Sequence, residues 1–235
     1  MISRNDNNVH IPTHGYLYDE RFACQAEMGS LVTTAHLVVR DLYEVFNYIE
    51  PNDDNNKTYS HRIYELFLRT ATEFESNCKG ILRANCYSKS KTNAEDYFKI
   101  AAAARLSDYR ISFTRWSTNR EFKPFAEWNS ADYKPLPWYQ DYNSVKHNRF
   151  EKYNLANFGN LMNAIAGLLC ILHAQIGEEM DNTCYEGFST SQSVQGRVSN
   201  DTFRLLAPQF PEEEQYGFIW DTIKTGQEPV QQYRF

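Results

Sequence analysis

The chain has 235 residues, of which 42% are hydrophobic and 15% aromatic, enough for the core of one large domain. Its net charge of -6 supplies no overall basic field, so a general nucleic-acid binder is excluded, although a local basic patch is not. Five scattered cysteines (24, 78, 86, 170 and 184) form no CxxC pair and have no histidine at ligand spacing, which argues against a disulfide framework and a metal site.

In chain order, residues 1–15 are rich in Asn and Asp and are expected to be a flexible arm, with no apolar segment of a signal peptide. Residues 22–49 carry apolar side chains at spacings of three and four (Leu31, Ala35, Val38, Val39, Leu42, Val45, Phe46, Ile49), which predicts a helix ended by Pro51 and NDDNNKT. Ser60 then reads as the cap of a second long helix, with an apolar stripe of Ile63, Leu66, Phe67, Thr70, Ala71, Phe74, Cys78, Ile81 and Leu82. SKSKTN (88–93) is a loop whose Thr92 or Asn93 caps a shorter helix over 94–106.

Tyr109, Ile111 and Phe113 alternate with polar residues, which predicts a strand. A second extended piece over 121–128 completes a hairpin near 108–128, with Pro124 weakening it. Pro135 and Pro137 stiffen the approach to the polar and aromatic run WYQDYNSVKHNR, which starts at Trp138 and is placed on a short helix. Asn154 is expected to cap the last long helix, with Leu155, Phe158, Leu161, Met162, Ile165, Leu168, Leu169 and Leu172 on its buried face. Ala164, Ala166 and Gly167 there permit close approach of another element. The polar segment after Gly177 is a loop, and 203–223 is expected to form a second hairpin on the bundle. The fold class expected is mainly α: an antiparallel bundle of four to five helices over 16–235, with small β additions and no internal repeat. The apolar run 164–172 is too short to span a bilayer, so a soluble, cytoplasmic protein is expected.

The chemistry concentrates at 138–149. On a helix, Asn143, Lys146 and His147 share a face, with Arg149 close behind. Histidine is the usual proton-transfer group near neutral pH, and Lys and Arg can hold a phosphate and stabilise charge developing on it. These are the ingredients of metal-free RNA cleavage, in which a base takes the 2′-hydroxyl proton. The same residue types also cap helix ends and bond backbone carbonyls, so a purely structural role stands beside the chemical one.

The run from Tyr142 to His147, followed by a long apolar helix, resembles the motif region of HEPN-domain proteins. These are helical bundles found among prokaryotic toxins, phage-defence proteins and CRISPR-linked RNases. The family motif is an Arg, usually followed by Asn, His or Asp, with a His four to six residues beyond the Arg. Asn143 matches the polar position and His147 the His, while Tyr142 stands where the family has Arg. The resemblance implies a homodimer with facing motifs acting on RNA, or an inactive relative that dimerises or binds a partner. It implies His147 and Asn143 as catalytic groups, Tyr142, Lys146 and Arg149 as substrate contacts, and no cofactor. An antitoxin-like partner protein is a further expectation. A match of Arg4-Asn5 with His10 to the same spacing lies in the arm with no core helix behind it.

On the second long helix, Arg69, Glu73 and Asn77 form a polar stripe beside the apolar face. That stripe either points at the Asn143–His147 cluster as further substrate contacts or is a solvated face with an i,i+4 ion pair. Trp128, Trp138 and Tyr139 either stack on bases or wedge the approach loop against the bundle. His173 is read as a core or boundary histidine.

Overall fold

In the computed structural model, the residues described are 2–3, 9–10, 25–176, 192–194, 197–199, 202–209 and 234–235. They form a mainly helical protein with a small antiparallel sheet. Within the first fifteen residues, strands β1 (Ile2–Ser3) and β2 (Val9–His10) pair antiparallel. Helix α1 (Gln25–Phe46) buries Ala35, Val38, Val39, Leu42 and Val45 of the face its apolar spacing predicts, together with Val32, while Leu31, Phe46 and Ile49 are half-buried. A 3-10 turn over Asp53–Lys57 leads to α2 (His61–Ala84). The Ser60 side chain accepts from the Ile63 amide, so the expected cap forms. All nine residues of the α2 stripe are buried.

Helix α3 (Ala94–Ala104) begins with a capping box in which Asn93 accepts from the Glu95 and Asp96 amides and Asp96 accepts from the Asn93 amide. It stops two residues short of the expected end because Arg105 takes a left-handed conformation and Leu106–Asp108 turns as a 3-10 helix. Strand β3 (Arg110–Phe113) follows. The hairpin expected over 108–128 does not form as a ladder. Ile111 and Phe122 exchange one pair of backbone hydrogen bonds, after which Pro124 has no amide to extend the pairing. Ala126–Trp128 then forms a 3-10 turn.

The ladder partner of β3 comes from far along the chain. Strands β4 (Gln192–Val194), β5 (Arg197–Ser199) and β6 (Phe203–Leu206) complete an antiparallel sheet in the order β3-β6-β5-β4. The register sets Ile111 opposite Leu205 and Phe113 opposite Phe203. The strand expected at 203 is therefore present but pairs with β5 and β3, and the rest of the expected 203–223 hairpin lies outside the described residues.

Helices α4 (Pro137–His147) and α5 (Arg149–Lys152) precede α6 (Phe158–Ile176). A 3-10 turn over Tyr153–Leu155 delays the start of α6, so Asn157 rather than Asn154 accepts from the third amide, that of Asn160. Leu155 falls off the buried face for the same reason and is half-buried, whereas Phe158 to Leu172 bury as expected. The most extensive helix pair is α2 with α6. A side chain at Gly167 would place its Cβ 3.1 Å from Trp138, so the missing side chain lets α4 seat its indole against α6. Helix α6 is long and apolar enough to cross a membrane, but 83% of that stretch is buried in the fold, which makes it the core helix of this bundle.

Candidate functional site

Helix α4 is built to present two different surfaces. Pro137 opens it, where a missing amide costs nothing. Trp138, Tyr139, Tyr142 and Val145 then fall at spacings of one, three and three and are all buried. The Trp138 indole donates to the Pro124 carbonyl at 2.9 Å, and the Trp128 indole donates to the Lys134 carbonyl at 3.1 Å. These rings wedge the approach loop into the core and leave no face for a base. Phe74 of α2 lies among Tyr97, Phe125, Trp138 and Tyr139, with ring centroids 5.3 to 6.4 Å apart.

On its inner flank α4 meets Glu75 of α2. The Tyr139 hydroxyl donates to Glu75 Oε1 at 2.8 Å, and Lys146 Nζ lies 3.5 Å from the same oxygen. Lys79 Nζ reaches Oε2 at 3.4 Å. Lys146 also donates to the Tyr142 hydroxyl at 2.9 Å, and Thr72 Oγ1 is 3.3 Å from that hydroxyl. The bond to Tyr142 and the nearby Glu75 carboxylate raise the pKa of Lys146, so it is a fixed cation and not a base at neutral pH. Burial, reinforced by the Glu75 charge, pushes the Tyr139 hydroxyl far up and keeps it protonated. Tyr142, 1% exposed, thus stands as a buried structural acceptor for Lys146. Asn143 is half-buried and lines the same cavity as Lys146, Lys79 and Glu75, about 450 Å³ in volume.

On its outer side α4 ends at an exposed corner. His147 is exposed and has no hydrogen bond or ion pair among the described residues. Asn148 closes α4 through its amide to the Ser144 carbonyl and opens α5 by accepting from the Glu151 amide. Arg149 lies over the rings of Tyr64 at 4.5 Å and Tyr153 at 5.5 Å, and donates to His61 Nδ1 at 3.3 Å. A guanidinium cannot accept a hydrogen bond, so this contact places the His61 proton on Nε2, facing away from Arg149. Tyr59 and His61 pack against Tyr153 with centroids 5.6 and 5.4 Å away. Phe150, beside Arg149, is 99% exposed, and Tyr59 is 51% exposed. Helical geometry explains the split of the expected trio. Lys146 sits one turn after Tyr142 and folds back on it, while His147 lies 100° further round and faces solvent.

The Arg69 and Glu73 stripe lies on the other flank of α2. At 100° per residue, Glu73 and Glu75 point about 160° apart, with the apolar stripe between them. Arg69 therefore turns to α1, where it pairs with Asp41 at 2.5 Å, and Asn77 takes a hydrogen bond from Gln175 of α6 at 2.7 Å. Glu73 is half-buried, and burial raises its carboxyl pKa against the pull of Arg69. None of the three reaches the α4 cluster. The carboxylate of α2 that meets α4 is Glu75, whose i,i+4 pairing with Lys79 is a signal visible in the sequence. The contact of His61 with Arg149 spans 88 positions and had none.

His173 is buried in the core, 3.1 Å from the Tyr109 hydroxyl through Nδ1. Burial raises the pKa of the Cys78 and Cys170 thiols, which leaves them inert packing groups. No cluster of His, Cys, Asp and Glu fit to hold a metal occurs among the described residues. The fold and site define the class of protein only as far as a helical bundle with a small sheet, a wired Glu75 cavity and an exposed cationic and aromatic corner. Comparison with known protein families, with curated proteins and with solved structures finds no match to this chain.

Proposed function

We propose that this HEPN-like helical bundle binds single-stranded RNA at the corner where the ends of α4 and α5 meet the start of α2. The observation that carries the reading is the exposed Phe150, next in the chain to Arg149, whose guanidinium covers Tyr64 and Tyr153 in a ring group with Tyr59 and His61. Aromatic faces interleaved with cations are the means by which proteins hold unpaired bases and their phosphates. Lys152 and Arg62, both exposed, extend the positive surface, and Arg62 is shared with Asp41 and Glu65. In this role Tyr142 supports α4 from within and takes no part in recognition.

A second reading, metal-independent cleavage of the same RNA, is favoured by one observation: His147 is exposed, unpartnered among the described residues, and two positions from Arg149. Cleavage needs a base to take the 2′-hydroxyl proton as that oxygen bonds phosphorus, a cation at the phosphate, and a proton from water or the protonated base for the 5′-oxygen that leaves with the broken P–O bond. Within one chain Lys146 is held by Tyr142 and Glu75, and Arg149 by its rings and His61, so a homodimer that brings a second copy's cation to His147 is the form in which this chemistry runs. An antitoxin-like protein covering the corner belongs to the same reading.

The test is fluorescence anisotropy of a labelled mixed-sequence single-stranded RNA in EDTA, with gel analysis of the same samples. Binding by the wild type that falls when Arg149→Ala and Phe150→Ala are combined supports the binding role, and at about 1–3 kcal/mol per stacked base the loss is about fivefold or more. Cleavage in EDTA that disappears in His147→Ala establishes the second reading. Wild-type protein that neither binds nor cuts diverse RNAs contradicts both.

A further inference from the structure

A second basic surface lies further along α2 from that corner, beside the C-terminal half of the helix. The cavity of about 450 Å³ that holds Glu75, Lys79, Asn143 and Lys146 shares Lys79 and Thr92 with a neighbouring one of about 550 Å³. The second is lined by Lys79, Arg83, Lys89 and Lys91 and by no carboxylate. Together the two form a groove along the C-terminal half of α2 and the 86–93 loop. Five cations and two carboxylates, Glu75 and Glu95, line it, in a protein whose net charge is -6.

Three of the five cations are partly neutralised. Lys79 and Lys146 share Glu75, and Lys89 lies 2.7 Å from Asp96 Oδ2. Arg83 and Lys91 are exposed and have no ion-pair partner among the described residues. Both belong to the wall that carries no acid. Hydroxyl and amide groups of Thr92, Ser90 and Asn143 sit between the cations. The C-terminal Phe235 ring marks the rim, edge-on to Tyr87 at 6.3 Å.

Concentrated like charge without internal compensation is unfavourable in the free protein and is relieved by a polyanion. Spaced cations with neutral donors between them, in an open groove, match successive phosphates rather than a single carboxylate. Three tyrosines, Tyr97, Tyr133 and Tyr139, line the end nearest α4.

We propose that this groove, centred on Arg83 and Lys91 on the wall that carries no acid, binds a run of phosphates, namely the backbone of the single-stranded RNA held at the α4–α5 corner. The proposal rests on the RNA-binding reading for the identity of its ligand, and the phosphate chemistry could equally come from a free polyphosphate.

The test uses the full chain carrying Arg83→Ala and Lys91→Ala together, both exposed, with Arg83→Lys and Lys91→Arg together as the charge-keeping control. Labelled single-stranded RNA is titrated by anisotropy across a range of KCl concentrations, and inorganic tripolyphosphate is titrated separately by calorimetry. Two lost phosphate contacts should reduce the slope of log K against log salt by about 1.4, equivalent to about 25-fold weaker binding at about 0.1 M KCl. The control should keep most of the slope. RNA binding with an unchanged slope in the alanine variant overturns the groove and leaves the corner standing. No RNA binding by the wild type, with tripolyphosphate bound and weakened by the alanine variant, overturns the RNA reading and assigns the groove to a free polyphosphate. Failure of both ligands to bind the wild type overturns both.

Discussion

The two sides of α4 differ in how their polar groups are spent. Inside, Glu75 receives one hydroxyl and lies within 3.5 Å of two ammonium groups, and Lys146 caps the buried Tyr142 hydroxyl, so each group there already has a partner. Outside, His147 has no partner among the described residues, and Phe150 has almost all of its surface in water. A residue with its bonding satisfied inside the fold stabilises it, and an exposed one costs little to replace and is available to a ligand. The comparison teaches that the motif-like spacing of Tyr142, Asn143, Lys146 and His147 spans both kinds of surface. Tyr142, Asn143 and Lys146 lie on the Glu75 side, and only His147 faces outward.

The comparison can be broken first at the ring cluster beneath it. Phe74→Ala removes a fully buried ring that touches four others and should cost about 3–5 kcal/mol in urea denaturation, enough to threaten the fold. Glu75→Ala strips the Tyr139 hydroxyl and two half-exposed ammoniums of their shared acceptor and should cost about 2 kcal/mol, since partial exposure of the lysines softens the loss. Tyr142→Phe removes only the hydroxyl and should cost about 1 kcal/mol. His147→Ala should stay within about 0.5 kcal/mol of the wild type. If His147→Ala destabilises as much as Tyr142→Phe, the inside and outside assignments of α4 are wrong.

A pH titration sharpens the same contrast on the neighbouring helix. Burial opposes ionisation of Asp96, but Lys89, the Tyr87 hydroxyl and the Asn93 amide outweigh it and lower its pKa. A lowered carboxylate pKa contributes stability above the unfolded value of about 4, which is lost as pH falls through the folded value. Asp96→Asn should therefore be less stable than the wild type at neutral pH, with the gap closing as pH drops below about 4 in acid denaturation. A gap that persists at low pH would assign the effect to the capping geometry rather than to the charge.

Much of the fold was legible in the sequence because helical periodicity reports burial directly. The stripe from Ile63 to Leu82 buries in full, and Ser60 and Asn93 cap as their positions imply. Pairings distant in sequence were not legible. Alternation at 109–113 announces a strand, yet nothing local says that its partner starts at Phe203 rather than near Glu121. The start of α6 falls three residues later than the first good cap, because Asn154 and Asn157 can both cap and the intervening 3-10 turn decides between them. At the site, the spacing of α4 showed which residues share a helix, but not that Glu75 would claim Lys146. The polar stripe of Arg69, Glu73 and Asn77 is visible in the spacing of α2, but spacing does not say which flank of the helix faces α4.

The central claim is that RNA lies on the outer corner of α4 and α5. Ultraviolet crosslinking of a bound single-stranded RNA to the 235-residue chain, followed by mass mapping of the crosslinked peptides, tests it most directly. The account predicts crosslinks on the peptides containing Phe150 and Tyr59, the two exposed rings that flank the corner. Crosslinks confined to peptides elsewhere, with 146–153 unmodified, would contradict it.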